Sequence, residues 1–484
     1  MMKDTLRHRA ATGRRSFRTG LYKPRNPRKT PLWQLLNSHF DEFLSLYEDR
    51  FEKRYGRLSH SVEKTVQRYL RCGILDYGFA RVRCPDCGNE YLLAFSCKCR
   101  SFCPSCQKKR QLEFAEFAVG EVFAPVPHRQ VVLSIPKRIR LHFFRNRKLL
   151  GKLARCAWET VRDLLQTATG RDDVTPGAVV AIQTFGNLAD LNPHVHMIVS
   201  WGCFDKKGTF YTVREVPDDD IIEQVFRHKV LRMLLDEGAV TEDIVENMLS
   251  WHHSGFSSHV GRATPGRHKD SLGSLAQYIV RGAVSLERMS LTEGVQGSDG
   301  KRKLIYRSNK VHPGYGSNFR IFDVLDFIAH VTAHIPERHE KRVIWYGYYS
   351  NKSRGMRKKK AQAEGKLPAK SQAEIVAETE DKAPLEIRRA WAYLVSRVYE
   401  VDPLVCTNCG GRMQIISYIH DSDVIWRILN HLGLLVEEEA AGSPGRSPPD
   451  DETLFPGEIT CEPFFDACLD EALAKSGSAD RGGG

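Results

Sequence analysis

Two cysteine pairs, Cys84-Pro85-Asp86-Cys87 and Cys103-Pro104-Ser105-Cys106, stand 15 residues apart and leave the chain between them few options. Each pair has the spacing of a turn that offers two thiolates to one ion, and two such turns close a tetrahedral zinc. Cys84, Cys87, Cys103 and Cys106 are therefore the expected ligands of a small zinc ribbon. Cys97-Lys98-Cys99 lies between the pairs, so Cys97 or Cys99 either replaces one ligand or belongs to a second ion's site. Eight of the 13 cysteines fall in such close pairs, a usage that suits metal binding in a reducing compartment and not a disulfide scaffold. Arg81, Arg83, Lys98, Arg100, Lys108, Lys109 and Arg110 surround the ribbon and mark it as a DNA-gripping module. The alternative is a purely structural zinc with solvated charges around it.

The whole chain repeats that basic character. Its 484 residues carry a net charge of +13 with a pI near 9.1, so a polyanion is the first partner to expect. Hydrophobic residues make up 41% and charged residues 27%, proportions that exclude a disordered chain and allow two to four cores. No apolar run approaches the roughly 20 residues of a membrane span, and the N-terminus has no secretory hydrophobic block. The expectation is a cytoplasmic protein, associated with the nucleoid when bound to DNA, with no membrane partner.

Residues 1–30 hold ten Lys or Arg against one acid, Asp4, with prolines interrupting any helix, and read as a disordered basic arm. From Leu32 the apolar residues recur at three and four through Trp33, Leu36, Phe40, Phe43, Leu44, Tyr47 and Phe51, the pattern of an amphipathic helix. A second helix follows the cap candidate Ser59 and ends at Cys72-Gly73. Between about 115 and 345 the pattern alternates. Arg129 to Ile135 reads as a strand, a basic loop Lys137-Arg138-Ile139-Arg140 follows, and a long helix runs through Leu149 and Leu165. Thr209 to Val213 reads as a further strand, and Asp219 to Glu237 as a helix. Strands interleaved with helices predict an α+β fold, an antiparallel sheet with helices packed on it.

Within that sheet, Asn192-Pro193 sets a turn that leads into His194-Val195-His196-Met197-Ile198-Val199-Ser200. Side chains alternate along a strand, so His194 and His196 share one face, a ready pair of nitrogen ligands for a divalent metal. The run Gly177 to Gly186 is the expected hairpin partner, which brings Gln183 near the pair as a weaker candidate for a third ligand. Downstream, Tyr278 lies on a helical segment beside Arg281. A phenolate placed near a metal that polarises a phosphodiester can attack phosphorus and hold a covalent intermediate.

With these pieces in order, the chain resembles the rolling-circle transposases of the IS91 insertion-sequence family, within the HUH single-strand endonucleases. The matching stretches are Cys84-x2-Cys87, Ser96-Cys97-Lys98, Phe102-Cys103-Pro104-Ser105-Cys106, Gln183-Thr184-Phe185-Gly186, Asn192-Pro193-His194-Val195-His196 and His253-Ser254-Gly255-Phe256-Ser257. Tyr278-Ile279-Val280-Arg281, His334-Ile335-Pro336 and Tyr346-Gly347-Tyr348-Tyr349-Ser350-Asn351 follow in the same order. The resemblance implies a transposase that nicks one DNA strand and keeps the 5′ end on Tyr278. His194 and His196 would ligate catalytic Mg²⁺ or Mn²⁺, and Zn²⁺ would be structural. Expected partners are single-stranded or hairpin element ends, a second copy of the chain and the host replication machinery. Family members often carry two tyrosines four apart, whereas this chain has Ser274 four residues before Tyr278. Other readings are a plasmid replication initiator or relaxase with the same chemistry, and a zinc-ribbon DNA-binding regulator or inactive relic that does not cleave.

These readings divide the chain into a basic arm (1–30), a helical and zinc-binding domain (31–115), a HUH-type nuclease domain (116–350), a basic-to-acidic linker (351–384), a C-terminal helical segment (385–438) and a disordered tail (439–484). The C-terminal segment contains Cys406-Thr407-Asn408-Cys409, half a zinc ribbon, with His420, His431, Cys461 and Cys468 as candidate completions.

Overall fold

A computed structural model describes residues 25–214, 217–292, 303–312, 316–364 and 405–435. The expected arm up to residue 24, the start of the C-terminal helical segment (385–404), Cys461, Cys468 and the tail lie outside them.

Helix α1 (Pro31–Arg50) starts on a proline and buries Leu32, Leu35, Leu36, Phe40, Phe43 and Tyr47, the stripe its periodicity predicts. After the short α2 (Glu52–Tyr55), α3 (His60–Leu70) begins where the Ser59 hydroxyl accepts from the Ser61 amide. The hairpin β1 (Phe79–Arg83) and β2 (Glu90–Ala94) follows, then α4 (Pro104–Phe117).

The central sheet gathers β3 (His128–Ser134), β4 (Gly177–Phe185), β5 (Leu191–Ser200), β8 (Ser257–Val260) and β12 (Val343–Gly347) in the antiparallel order β12-β4-β5-β3-β8. Between these strands lie α5 (Lys137–Arg145), α6 (Lys148–Thr169), the ribbon β6 (Gly202–Phe204) and β7 (Phe210–Thr212), α7 (Asp219–Asp236) and α8 (Glu242–Leu249). Beyond β8 come α9 (Lys269–Ile279), β9 (Met289–Thr292), β10 (Lys303–His312), β11 (Ser317–Asp323) and α10 (Val324–Thr332). The described part ends with α11 (Asn351–Ala363), β13 (Gln414–Ile419) and a helix at Ser422–His431.

Strand alternation sorts the two faces of the central sheet. Val131, Leu133, Val180, Ile182, Val195, Met197 and Val199 point into the large core closed by α5, α6 and α7. Val179, Ala181 and Ile198 point the other way and meet Phe114 of α4 and Ala276 and Ile279 of α9. Only the β12–β5 side of that second face carries helices in this cluster. Towards β8 it is wetter: Ser257 and His259 are exposed and Val132 and Ser134 are half-buried. The α+β architecture is as expected, and no described helix is long and apolar enough to cross a membrane.

Several expectations change. The strand foreseen over Thr209 to Val213 exists as β7, but it pairs with β6 in a separate ribbon, not in the central sheet. The basic run after Asn351 is helical, not linker, because the Ser350 hydroxyl caps the Ser353 amide and Arg357 stacks on Tyr348 at 3.6 Å. The division foreseen near residue 115 coincides with no break in the core. One apolar cluster joins α1 and α3 to Leu304, Tyr306 and Phe322 of the β9–β11 sheet and to Phe327 and Ile328 of α10.

Candidate active site and metal centres

The register of β5 against its neighbours builds the site. Gln183 of β4 lies opposite His194, Ser134 of β3 lies opposite His194 on the other side, and Val132 lies opposite His196. Both imidazoles are buried, and their Nε2 atoms are 3.0 Å apart. Two ligands at right angles on an ion with bonds of about 2.1 Å stand about 3.0 Å apart, so the pair has the bite of a metal chelate. Burial pushes the His194 imidazole down to about 4 and that of His196 down to about 3, and both are held neutral as metal ligation requires. The Arg281 charge acts in the same direction on both rings, and that of Arg140 on His194.

Hydrogen bonds fix the tautomers. His194 Nδ1 donates to the Asn192 carbonyl at 2.7 Å, which leaves its Nε2 as an acceptor. Gln130 Nε2 donates to His196 Nδ1 at 3.1 Å, so His196 carries its proton on Nε2 and donates it to His194. Chelation by both Nε2 atoms needs that proton on Nδ1 instead, and rotating the Gln130 amide by half a turn supplies the oxygen to accept it. Nothing in the sequence around Gln130 signals this; only the β3–β5 register does.

Gln183 is buried, but its amide serves α9. Its Nε2 donates to the Ile279 carbonyl at 2.8 Å, and its Oε1 accepts from Arg281 Nε at 3.3 Å. Among the described residues no His, Cys, Asp or Glu joins the two histidines in a three-ligand cluster. The clamp holds the end of α9 against the sheet and sets Tyr278, 44% exposed, beside the histidines. Its ring lies 5.5 Å from the His196 ring, edge to face, with the Arg281 guanidinium 4.8 Å from its centroid. Ser274, one turn earlier on α9, is also exposed.

The cysteines do not form the four-ligand site expected of Cys84, Cys87, Cys103 and Cys106. Cys103 and Cys106 converge instead with Cys72 and Cys97, while Cys84 and Cys87 meet Cys406 and Cys409. In the first cluster Cys72 Sγ is 3.8 Å from both Cys103 and Cys106, and Cys97 is 3.6 Å from Cys106. Sulfurs on a tetrahedral zinc with bonds of about 2.3 Å are about 3.8 Å apart, so these four fit the ion. Cys99 is turned away, its thiol directed at the Thr65 and Cys97 carbonyls. Cys72 escapes an argument from spacing because it lies just past the end of α3 and has no cysteine partner nearby in sequence. The available signal was its following glycine: Gly73 has φ +77°, a conformation shared with Gly88 after Cys87 and Gly410 after Cys409. The cluster reaches α9 through Gln107, whose side chain accepts from the Ser101 amide and donates to the Val280 carbonyl at 2.6 Å.

The basic residues foreseen as DNA contacts divide. Arg83, Lys98 and Lys108 are exposed. Arg81 is paired with Glu90, and Lys109 lies 3.8 Å from Glu113 on the same helix. Arg100 donates to the Glu340 carbonyl at 2.8 Å and is half-buried, and burial pulls its pKa down, as it does for Arg110. Arg100 is thus engaged with a carbonyl of the same protein.

Comparison with known proteins gives the context for this arrangement. A family model described as a putative transposase matches residues 177–357, which include His194, His196 and Tyr278. A second, described as a transposase zinc-binding domain, matches residues 40–135 and contains the whole Cys72–Cys106 cluster. The transposase for insertion sequence element IS801 of Pseudomonas savastanoi pv. phaseolicola is 24% identical over 376 residues, 74% of this chain and 84% of that protein. The putative transposase y4qJ of Sinorhizobium fredii (strain NBRC 101917 / NGR234) is 24% identical over 406 residues, 76% of this chain and 94% of its own length. No solved structure matches. With both family models falling in order along the chain and such relatives covered over most of their length, this protein belongs to the IS91 family of transposases, with an N-terminal zinc-binding domain.

Proposed function

We propose that the protein nicks and rejoins single-stranded DNA at the ends of its insertion element, with Tyr278 as the nucleophile, in transposition of the rolling-circle type. The observation that carries the reading is the meeting of an exposed phenol with two neutral imidazoles of chelating separation on one sheet face. Mg²⁺ or Mn²⁺, held by His194 and His196 when bound, would supply Lewis-acid polarisation of the scissile phosphate. The Tyr278 oxygen bonds to phosphorus as the bond from phosphorus to the 3′ oxygen breaks. The phenol proton passes to water, and the departing 3′ oxygen takes up a proton to leave as a hydroxyl. Arg281, over the Tyr278 ring, stabilises negative charge that develops on the phenol and on the phosphate. Arg140 and the exposed Lys137 and Arg138 at the end of β3 extend the cationic rim along which a strand would lie.

Because the phosphotyrosine conserves the energy of the broken bond, attack by a 3′-hydroxyl rejoins the strand without ATP. The free 3′ end is a primer for the host replication machinery. With Ser274 in place of a second tyrosine, the later cleavage falls to a second use of Tyr278 or to a second copy of the chain. Zinc would be held as a tetrathiolate by Cys72, Cys97, Cys103 and Cys106, with Gln107 passing that rigidity to α9.

The test is incubation with labelled single-stranded DNA from the element's ends and Mn²⁺ or Mg²⁺, resolved on a denaturing gel. The wild type is expected to give a metal-dependent nick with protein attached to the 5′ end. Tyr278→Phe and His194→Ala/His196→Ala are expected to bind DNA and give no adduct. An adduct persisting in Tyr278→Phe would move the nucleophile to another residue, and binding without cleavage in any metal would favour a regulator.

A further inference from the structure

The second cysteine cluster draws on the two ends of the described chain. Cys84 and Cys87 close the β1–β2 hairpin, while Cys406 and Cys409 come from a segment more than 300 residues later and outside both family matches. Cys84 Sγ lies 3.6 Å from Cys409 Sγ, and Cys87 Sγ lies 3.5 Å from Cys406 Sγ. All four sulfurs fall within 4.8 Å of one another, close to the sulfur spacing of about 3.8 Å that a tetrahedral zinc imposes.

The two turns are built alike. Gly88 donates its amide to the Cys84 carbonyl at 3.0 Å, and Gly410 donates to the Cys406 carbonyl at 2.9 Å. Both glycines have φ +75°. The Cys84 amide donates to the Asn89 carbonyl and the Cys406 amide to the Gly411 carbonyl, each at 2.8 Å. Chain reversal of this kind aims both thiols of a pair to one side, and two copies face each other here. Polar hydrogens point at the sulfurs as well: Asn89 Nδ2 lies 3.5 Å from Cys406 Sγ, and the Gly411 amide lies 3.4 Å from Cys409 Sγ. Such donors stabilise thiolate, the form that binds metal. The approach is close enough that a Cβ on Gly411 would stand 2.2 Å from Asp86 Oδ2.

Strand pairing continues what the turns begin. β13 lies antiparallel to β1, with Arg83 opposite Gln414 and Phe79 opposite Ile419, so the sheet order is β13-β1-β2. Val82, Cys84, Cys406 and Met413 bury one small cluster behind the sulfurs, and Phe79, Ile425 and Leu429 bury another at the far end. These clusters are too small to hold a separate domain, which is the circumstance in which a metal supplies the missing stability.

We infer that Cys84, Cys87, Cys406 and Cys409 form a second structural zinc site, completed by the C-terminal segment, which staples residues 405–435 onto the N-terminal zinc-binding domain. The soft, closed, four-thiolate donor set selects zinc over the hard cation expected at the histidines. The β1–β2 ribbon is therefore a composite of two segments more than 300 residues apart in the chain. None of this depends on whether Tyr278 cleaves DNA.

The exposure of two of the ligands provides the test, since Cys87 and Cys409 both face solvent. Purified full-length protein, kept reduced, is analysed for zinc and pulsed with iodoacetamide before mass spectrometry. About two zinc ions per chain are expected, with Cys87 and Cys409 protected and becoming reactive together with Cys84 and Cys406 once a chelator is added. Cys406→Ser/Cys409→Ser is expected to lose one ion and keep the other, and amide exchange across Gln414–Ile419 is expected to quicken in it. One zinc per chain in the wild type, with Cys87 and Cys409 alkylated at once, would overturn the assignment. Because the alkylation readout uses the wild type, it decides the matter even where the double variant fails to fold.

Discussion

Gln130, half-buried on β3, meets His196 through its amide and decides which nitrogen of that ring carries the proton. As it stands, its amide N–H points at His196 Nδ1, and the reversed amide frees His196 Nε2 for a metal. Outer-shell partners of metal-bound histidines change affinity by about 10- to 100-fold when removed. Gln130→Leu is therefore expected to raise the Mn²⁺ concentration for half-maximal nicking by about tenfold or more. Saturating Mn²⁺ should restore most of the rate, and a titration of nicking against Mn²⁺ checks this. Gln130→Glu, which keeps an acceptor oxygen facing Nδ1, should recover the affinity. An unchanged Mn²⁺ midpoint in Gln130→Leu would assign the residue to packing alone.

The element that carries Tyr278 is α9. It presents Leu272, Ala276 and Ile279 inward, with Ala276 and Ile279 against the Val179, Ala181 and Ile198 face, and Tyr278 is carried outward by the same helical phase. Two amides fix its end, Gln183 from the sheet and Gln107 from α4. Ala276 is fully buried, so Ala276→Leu forces extra volume between helix and sheet at about 1–3 kcal/mol. It is expected to lower adduct formation by about a hundredfold, because displacing a reacting group by about 1 Å costs that much. DNA affinity should be retained, and thermal unfolding together with single-turnover adduct formation separates the two effects. A variant that unfolds earlier but forms adduct at the wild-type rate would show that α9 tolerates the shift.

At the scale of the whole molecule, Glu340 ties the parts together. Its carboxylate takes Arg147 at 2.7 Å and Arg342 at 2.5 Å, and its carbonyl takes Arg100 of the zinc-binding domain. Burial alone would raise this carboxyl, but the Arg342 and Arg147 charges outweigh it and hold the pKa below the usual range. A carboxyl depressed on folding stabilises the native state above its unfolded pKa of about 4.3, and that contribution fades as pH falls through the lower folded value. Glu340→Gln leaves two buried guanidiniums without their counter-charge and is expected to cost about 3–5 kcal/mol at neutral pH. Denaturant unfolding at pH 7 and again well below pH 4 checks the sign: the gap between wild type and variant should narrow in acid. The same scale explains which parts were legible beforehand. The helices, β3 to β5, the histidine pair and Tyr278 could be read from periodicity and local chemistry. The partners of Cys72 and Cys406 and the role of Gln130 could not, because each meets its neighbours only across strands or loops that sequence spacing does not encode.

Sequence by itself determined that this is an α+β protein with clustered thiols, two histidines on one strand face and a tyrosine on a helix downstream. Those properties follow from residue type and from periods of two and 3.6 residues, which act over a few neighbours. Tertiary structure alone decided which thiols converge, which nitrogen of His196 accepts from Gln130, that Arg100 donates to the Glu340 carbonyl, and that β13 joins β1. Each is a pairing between distant segments. A cysteine knuckle offers the same two thiolates whichever second knuckle it meets, so the choice rests on strand register and core packing rather than on spacing.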